Sequence, residues 1–89
     1  MSREEILAGL KEILHNIHPG FDLNLVTEDA RLTLDLHIDS LSMMLLSLAS
    51  EKKFNILFKT TKPFDTIGEV IDYIQSQLRV ENNENKELS

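Results

Sequence analysis

Apolar residues recur every three or four positions near the start of the chain. Ile6, Leu10, Ile13 and Ile17 form one row, with Leu7 and Leu14 beside it. That period predicts an amphipathic helix. Ser2 and Glu5 stand at capping-box spacing, in which each side chain bonds the other residue's backbone amide. His18-Pro19-Gly20 ends the helix, since the residue before a proline disfavours the helical region and glycine releases the chain. A second row, Ile67, Val70, Ile71, Ile74 and Leu78, predicts a last helix that ends near Arg79 and opens with the capping pair Thr66 and Glu69.

Between these rows the pattern changes. From Phe21 to Ile38 no period persists, yet Phe21, Leu23, Leu25, Leu32, Leu34 and Leu36 are too apolar for a solvated linker. The expectation is a long ordered loop lying back over the core, with one short helical turn at Val26 to Ala30. The alternation at Leu32, Leu34 and Leu36 would suit a strand, but no other segment offers it a partner. A middle helix is expected from about Ser40 to Lys53, with Asp39 and Ser40 both good N-cap residues. The segment "NILFKTTKPF" is less regular and has room for a short helical turn before Pro63. After Arg79, "VENNENKELS" has almost nothing to bury and is expected to be disordered. The reading is an all-α domain over residues 1–79, with three main helices, one short helix and a long first loop, followed by a tail over 80–89.

Composition narrows the function. With 89 residues, the chain makes one domain that buries only about 60–65% of its unfolded surface, so its core is thin. It has no cysteine, which excludes a disulfide framework, a thiolate zinc site and a cysteine nucleophile. Any thiol chemistry must therefore come from something attached. Fifteen acids against nine bases give a formal charge of −6, so nucleic acid is not expected as a partner. The start "MSREEILAGL" carries acids where a signal peptide carries a basic region, and no apolar run is long enough to span a bilayer. The expected location is the cytoplasm.

No catalytic constellation is evident. His15 and His18 sit three apart on the first helix without a third metal ligand, and His37 stands beside Asp39 and Ser40 only in sequence. Neighbours in sequence seldom hold triad geometry. No catalytic or metal-ligating residue is expected. Ser40 is different. A serine at a helix start lies beside free backbone amides, where the helix dipole favours an anion, so a phosphate ester on its oxygen would be well placed. The helix behind it carries no charge from Leu41 to Ser50 and more apolar side chains than a core needs.

At these residues the chain resembles a known family. "DSL" at Asp39-Ser40-Leu41, preceded by "DLHI" and followed by an apolar helix ending in Phe54, looks like an acyl carrier protein. "DTIGEVIDYIQSQL", Asp65 to Leu78, is similar to that family's last helix, so the resemblance covers nearly all of the chain outside the tail. It implies a four-helix carrier fold with 4′-phosphopantetheine on Ser40, flanked by Asp39 and Leu41. A phosphopantetheinyl transferase would supply that group from coenzyme A. The carrier would then present acyl thioesters to acyl-transferring or condensing enzymes, in a fatty-acid, lipid or polyketide-type pathway. A monomer is the expected state, with net charge and the apolar face leaving a weak dimer open as well. A peptidyl or aminoacyl carrier, and an unmodified helical adaptor that binds through Leu41–Leu48, are the alternatives.

Three departures from the family matter. Its members usually carry glycine two residues before the Asp of the motif, where this chain has His37; the loop must manage without glycine's freedom, or the histidine adopts a positive φ. In fatty-acid carriers the helix after the serine is strongly acidic, whereas Ser40 to Phe64 here holds one acid, Glu51, against Lys52, Lys53, Lys59 and Lys62. Altered partners are expected from that reversal. Third, two rotations of the middle helix compete. Periodicity gathers Leu41, Met44, Leu45, Leu48 and Ala49 on one arc and would bury it. The family register instead turns Met43, Leu46, Ser47, Ser50 and Phe54 inward. That leaves Leu41, Met44, Leu45 and Leu48, with Lys52, as a partner-binding face.

Overall fold

The computed structural model describes the backbone of residues 1–58 and 64–88 and the side chains of 1–58 and 64–78. Three α-helices, α1 (Arg3–Ile17), α2 (Ser40–Phe54) and α3 (Ile67–Leu88), and a 3-10 turn at Leu23–Leu25 make up its regular structure, with no strand among the described residues. The short helical turn expected before Pro63 falls largely on residues outside the description. Helix α3 continues to Leu88 rather than stopping at Arg79, so the backbone is helical through most of the stretch expected to be a disordered tail.

Both outer helices open as their sequences dictate. The Ser2 hydroxyl accepts from the Glu5 amide at 3.2 Å, and the Glu5 carboxylate accepts from the Ser2 amide at 3.0 Å. Thr66 and Glu69 repeat the arrangement at the start of α3, with both reciprocal bonds at 3.2 Å. Helix α1 ends at Ile17 with His18 as its cap, whose amide donates to the Leu14 carbonyl. Helix α2 ends on Asn55, which takes the left-handed conformation (φ 57°) that short polar side chains tolerate at a helix C-terminus.

Helix α1 packs against both α2 and α3. Its Ile6, Leu10, Ile13 and Leu14 meet Leu46 and Phe54 of α2 and Ile67, Val70, Ile71 and Ile74 of α3 in one core. The α1–α2 approach is close because Gly9 has no side chain: a Cβ there would stand 2.7 Å from Cζ of Phe54. Arg3 ties the three parts together from outside, bonding Glu28 of the loop and Asp72 and Gln75 of α3.

The long first connection is ordered by backbone bonds to the start of α3. The Leu32 amide donates to the Asp65 carbonyl at 2.7 Å, the Ile67 amide to Ala30 at 3.0 Å and the Gly68 amide to Glu28 at 2.8 Å. Arg31 and Thr66 form an isolated antiparallel bridge, which is as far as strand pairing goes among the described residues. Val26, Ala30, Leu32 and Leu36 turn into the core. Two expectations need correction. The helical turn lies at Leu23–Leu25, where the Asp22 carboxylate caps the Asn24 amide, and not at Val26 to Ala30. Leu25 and Leu34 are exposed, so only part of the apolar run covers the core.

Candidate functional site

Ser40 is the first residue of α2, and the helix start around it is built by its neighbours. Asp39 is the N-cap: its carboxylate accepts from the Ser42 amide at 2.7 Å. That backbone bond, with help from the Ser42 hydroxyl and the charge of His18, holds the Asp39 carboxyl below the usual carboxylate range. The amides of Ser40 and Leu41 remain among the first-turn donors that a helix cannot satisfy internally. Ser40 itself is exposed, and its hydroxyl bonds no side chain or backbone group among the described residues.

The chain reaches α2 through a tight turn. Arg31 accepts from the amides of Asp35 and Leu36, and the Ile38 amide then donates back to the Leu32 carbonyl at 2.9 Å. His37 absorbs the reversal with φ at 55°, in the region that favours glycine. Of the two outcomes open for this position, the histidine adopts the positive φ. Behind the turn, His18 Nε2 lies 2.9 Å from the Ser42 hydroxyl, which joins the end of α1 to the first turn of α2.

A hollow of about 440 Å³ opens beside Ser40, lined by Thr33, Ile38, Asp39, Ser40, Met43 and Phe64. Phe64 packs with two other rings. It meets Phe58 edge to face at 5.9 Å and Tyr73 at 5.6 Å, while Phe58 and Tyr73 stack at 5.2 Å. Each such pair contributes about 0.5–1.5 kcal/mol beyond the area it buries.

Helix α2 has an unusual distribution of side chains. Its buried residues are Ser42, Leu46, Ser50 and Phe54, with Met43, Ser47 and Ala49 half-buried. Leu41, Met44, Leu45 and Leu48 are exposed, at 61%, 54%, 42% and 57%, and Lys52 is exposed beyond them. The rotation that buries the leucine arc is therefore not the one adopted. Lys53 leans the other way, to Glu12 of α1 at 3.2 Å.

The structure thus gathers Asp39, Ser40 and Leu41 at one helix start and places Leu41, Met44, Leu45, Leu48 and Lys52 in the open. His18, Ser42 and Phe64 are additions to the site. The spacing of Asp39 and Ser42 carries a capping signal, but nothing local marks His18 or Phe64, which arrive from distant parts of the chain. His15 is exposed in the last turn of α1, apart from His18's contact with Ser42. Among the described residues no group of three or more His, Asp or Glu is placed to hold a metal ion.

Comparison with known proteins bears on what this arrangement is for. The chain is 42% identical over 77 residues to the acyl carrier protein of Renibacterium salmoninarum, an alignment spanning 84% of this chain and 94% of the relative. It is 38% identical over 76 residues to that of Acidothermus cellulolyticus, covering 83% and 89%. The chain belongs to the acyl carrier protein family. A further relative, the acyl carrier protein of Myxococcus xanthus, is 40% identical over 75 residues and covered to 94%. No protein-family model matches the chain. Members of this family are carriers and not enzymes, and the all-helical fold agrees with that of an acyl carrier protein. Acyl carrier proteins are generally modified with phosphopantetheine, and the chemistry around Ser40 suits a phosphodiester: an unengaged hydroxyl, open amides at a helix N-terminus and an adjoining apolar hollow. No helix among the described residues is long and apolar enough to cross a membrane.

Proposed function

We propose that this chain carries acyl groups on 4′-phosphopantetheine attached to the Ser40 oxygen and presents them in turn to acyl-transferring or condensing enzymes. The pathway class is fatty-acid, lipid or polyketide-type assembly in the cytoplasm. A phosphopantetheinyl transferase would supply the arm from coenzyme A and release the nucleotide portion. When bound, the arm supplies the thiol that this cysteine-free chain lacks.

The observation that carries the reading is the position of Ser40: exposed, first in α2, and set between a capped helix start and an apolar hollow. Asp39 rigidifies that start by holding the Ser42 amide, and the remaining first-turn amides favour the negative charge of a phosphodiester. Leu41, Met44, Leu45 and Leu48 then form the surface by which partner enzymes recognise the carrier, with Lys52 at its edge. Apolar contact, and not attraction to an acidic helix, gives that surface its affinity.

Intact-mass spectrometry tests the attachment. Incubation with coenzyme A and a broad-specificity phosphopantetheinyl transferase should add one phosphopantetheine mass to the native chain and none to Ser40→Ala. Failure to modify a folded native chain with several transferases would overturn the proposal.

A further inference from the structure

The exposed side chains of α2 fall on a regular seam. Leu41, Leu45, Leu48 and Lys52 stand four, three and four residues apart, the spacing of a coiled-coil contact line. All of them are exposed, and Met44, exposed as well, flanks the line on one side. Helix α2 is unbroken over this stretch, so the seam runs roughly 16 Å along a single element.

The seam is matched to itself. Laid antiparallel on a second copy, it sets Leu45 against Leu48 and Leu41 against Lys52, each pair occurring twice about a two-fold axis. Apolar residues then meet at the centre, and no charge interrupts the stretch from Leu41 to Ser50. The charged ends cross over. The end near Ser40 carries the Asp39 carboxylate, while the far end carries Lys52, which pairs with no acid among the described residues. The Lys52 stem would lie along Leu41 of the second copy and carry its ammonium toward that copy's Asp39. A parallel arrangement would bring Lys52 against Lys52 instead. Any other occupant must supply its own match to this layout; a second copy of the chain already has it.

We propose that the Leu41–Lys52 face of α2 pairs antiparallel with the same face of a second copy to form a reversible dimer. The contact rests on a single helix face from each copy, against about 20–30 residues a side in a standard stable interface. The pair therefore forms and parts with concentration. Because the same face is the one proposed above for partner enzymes, pairing and enzyme docking exclude each other. A paired carrier is a withheld carrier. That exclusion rests on the proposed function, whereas the pairing itself does not.

Sedimentation of the full, unmodified chain tests the pairing, from micromolar concentrations up to about 1 mM. The average mass should rise with concentration toward twice that of one chain. Leu45→Glu should weaken the association by about tenfold or more, since both copies carry the change. That position is exposed, so the variant should keep the native melting curve. Orientation is read by cross-linking, for which a chain without cysteine gives a clean background. Under mild oxidation, Leu45→Cys mixed with Leu48→Cys should form the mixed disulfide in preference to either homodimer. Leu41→Cys mixed with Lys52→Cys should do the same, while Leu34→Cys, exposed on the first connection, should stay uncrosslinked. A chain that remains monomeric at the highest concentration would overturn the proposal and leave the face to enzymes alone. Preferred homodimers of Leu45→Cys and of Leu48→Cys, or a dimer that survives Leu45→Glu unchanged, would overturn it too. None of these results touches the attachment at Ser40, which intact mass tests separately.

Discussion

The imidazole of His18 and the hydroxyl of Ser42 share a hydrogen bond of 2.9 Å, and it links the C-cap of α1 to the first turn of α2. Ser42 is buried while His18 is exposed, so the bond crosses from solvent to core. The same serine gives its amide to Asp39. His18, Ser42 and Asp39 thus act as one brace behind Ser40. A hydrogen bond of this kind contributes about 0.5–1.5 kcal/mol net. His18→Ala and Ser42→Ala should each lower stability by about 1 kcal/mol. Because they remove the same bond, the double variant should cost less than their sum by about 0.5 kcal/mol or more. Urea denaturation of the four proteins measures this directly, and strict additivity would sever the link.

His37 spends its conformational energy on a reversal of the chain. Holding a side chain at φ 55° costs about 1–2 kcal/mol relative to glycine. Glycine gives back part of that by freeing the unfolded chain, at about 0.4–1 kcal/mol. His37→Gly should therefore stabilise the protein by roughly 0.5 kcal/mol, whereas His37→Val should destabilise it by about 1–2 kcal/mol. Thermal melting of both variants checks the sign. Loss of stability in the glycine variant would mean that the imidazole makes a contact worth more than the strain.

Gly9 lies in the middle of α1, where alanine would ordinarily improve the helix by about 1 kcal/mol. Here the added methyl would meet Cζ of Phe54 at 2.7 Å. Overpacking of a core contact costs about 1–3 kcal/mol, so Gly9→Ala should be net destabilising by about 1 kcal/mol. Phe54→Leu in the same chain should recover part of the loss, because the smaller side chain makes room. Denaturation midpoints of the two single variants and the double variant settle the matter.

Acid sensitivity follows from three carboxylates held below their ordinary range by backbone amides. Glu5 takes a bond from Ser2, Asp35 from Arg31 and Asp39 from Ser42. Each titrates lower in the folded chain than in the unfolded one. Their contribution is therefore complete above the ordinary carboxylate range and disappears as pH falls through it toward the depressed values. The melting temperature should be insensitive to these groups near neutrality and drop below about pH 4. Asp39→Asn keeps a good N-cap, so it should melt nearly as high at pH 7 and show a shallower acid decline. An unchanged pH profile in that variant would remove Asp39 from the account.

Local signals in the sequence proved readable because they act locally. The pairs Ser2 and Glu5, and Thr66 and Glu69, close the capping boxes that their spacing predicts, and the rows on α1 and α3 face the core. Helix α2 is where periodicity misleads. A hydrophobic arc is assumed to turn inward, yet α2 buries Ser42 and Ser50 and exposes three leucines and a methionine. The Ser50 hydroxyl is fully buried without a hydrogen-bond partner among the described residues, a cost no pattern rule would anticipate. Family resemblance located the inward set better, since "DSL" and Phe54 set the register without a gap. Leu34 was misplaced for a related reason: alternation says nothing about which loop residues meet the core. The aromatic wall was invisible because Phe58, Phe64 and Tyr73 come together only when α3 docks.

The bonds from Leu32 to Asp65, Ile67 to Ala30 and Gly68 to Glu28 also set an order of events during synthesis. On the ribosome, Ser40 leaves the exit tunnel well before Thr66. Until the residues around Thr66 follow, the connection ahead of Ser40 lacks its backbone partners at Asp65, Ile67 and Gly68, and Phe64 lacks its ring contact with Tyr73. The finished surroundings of Ser40 therefore certify that the start of α3 has been made and docked.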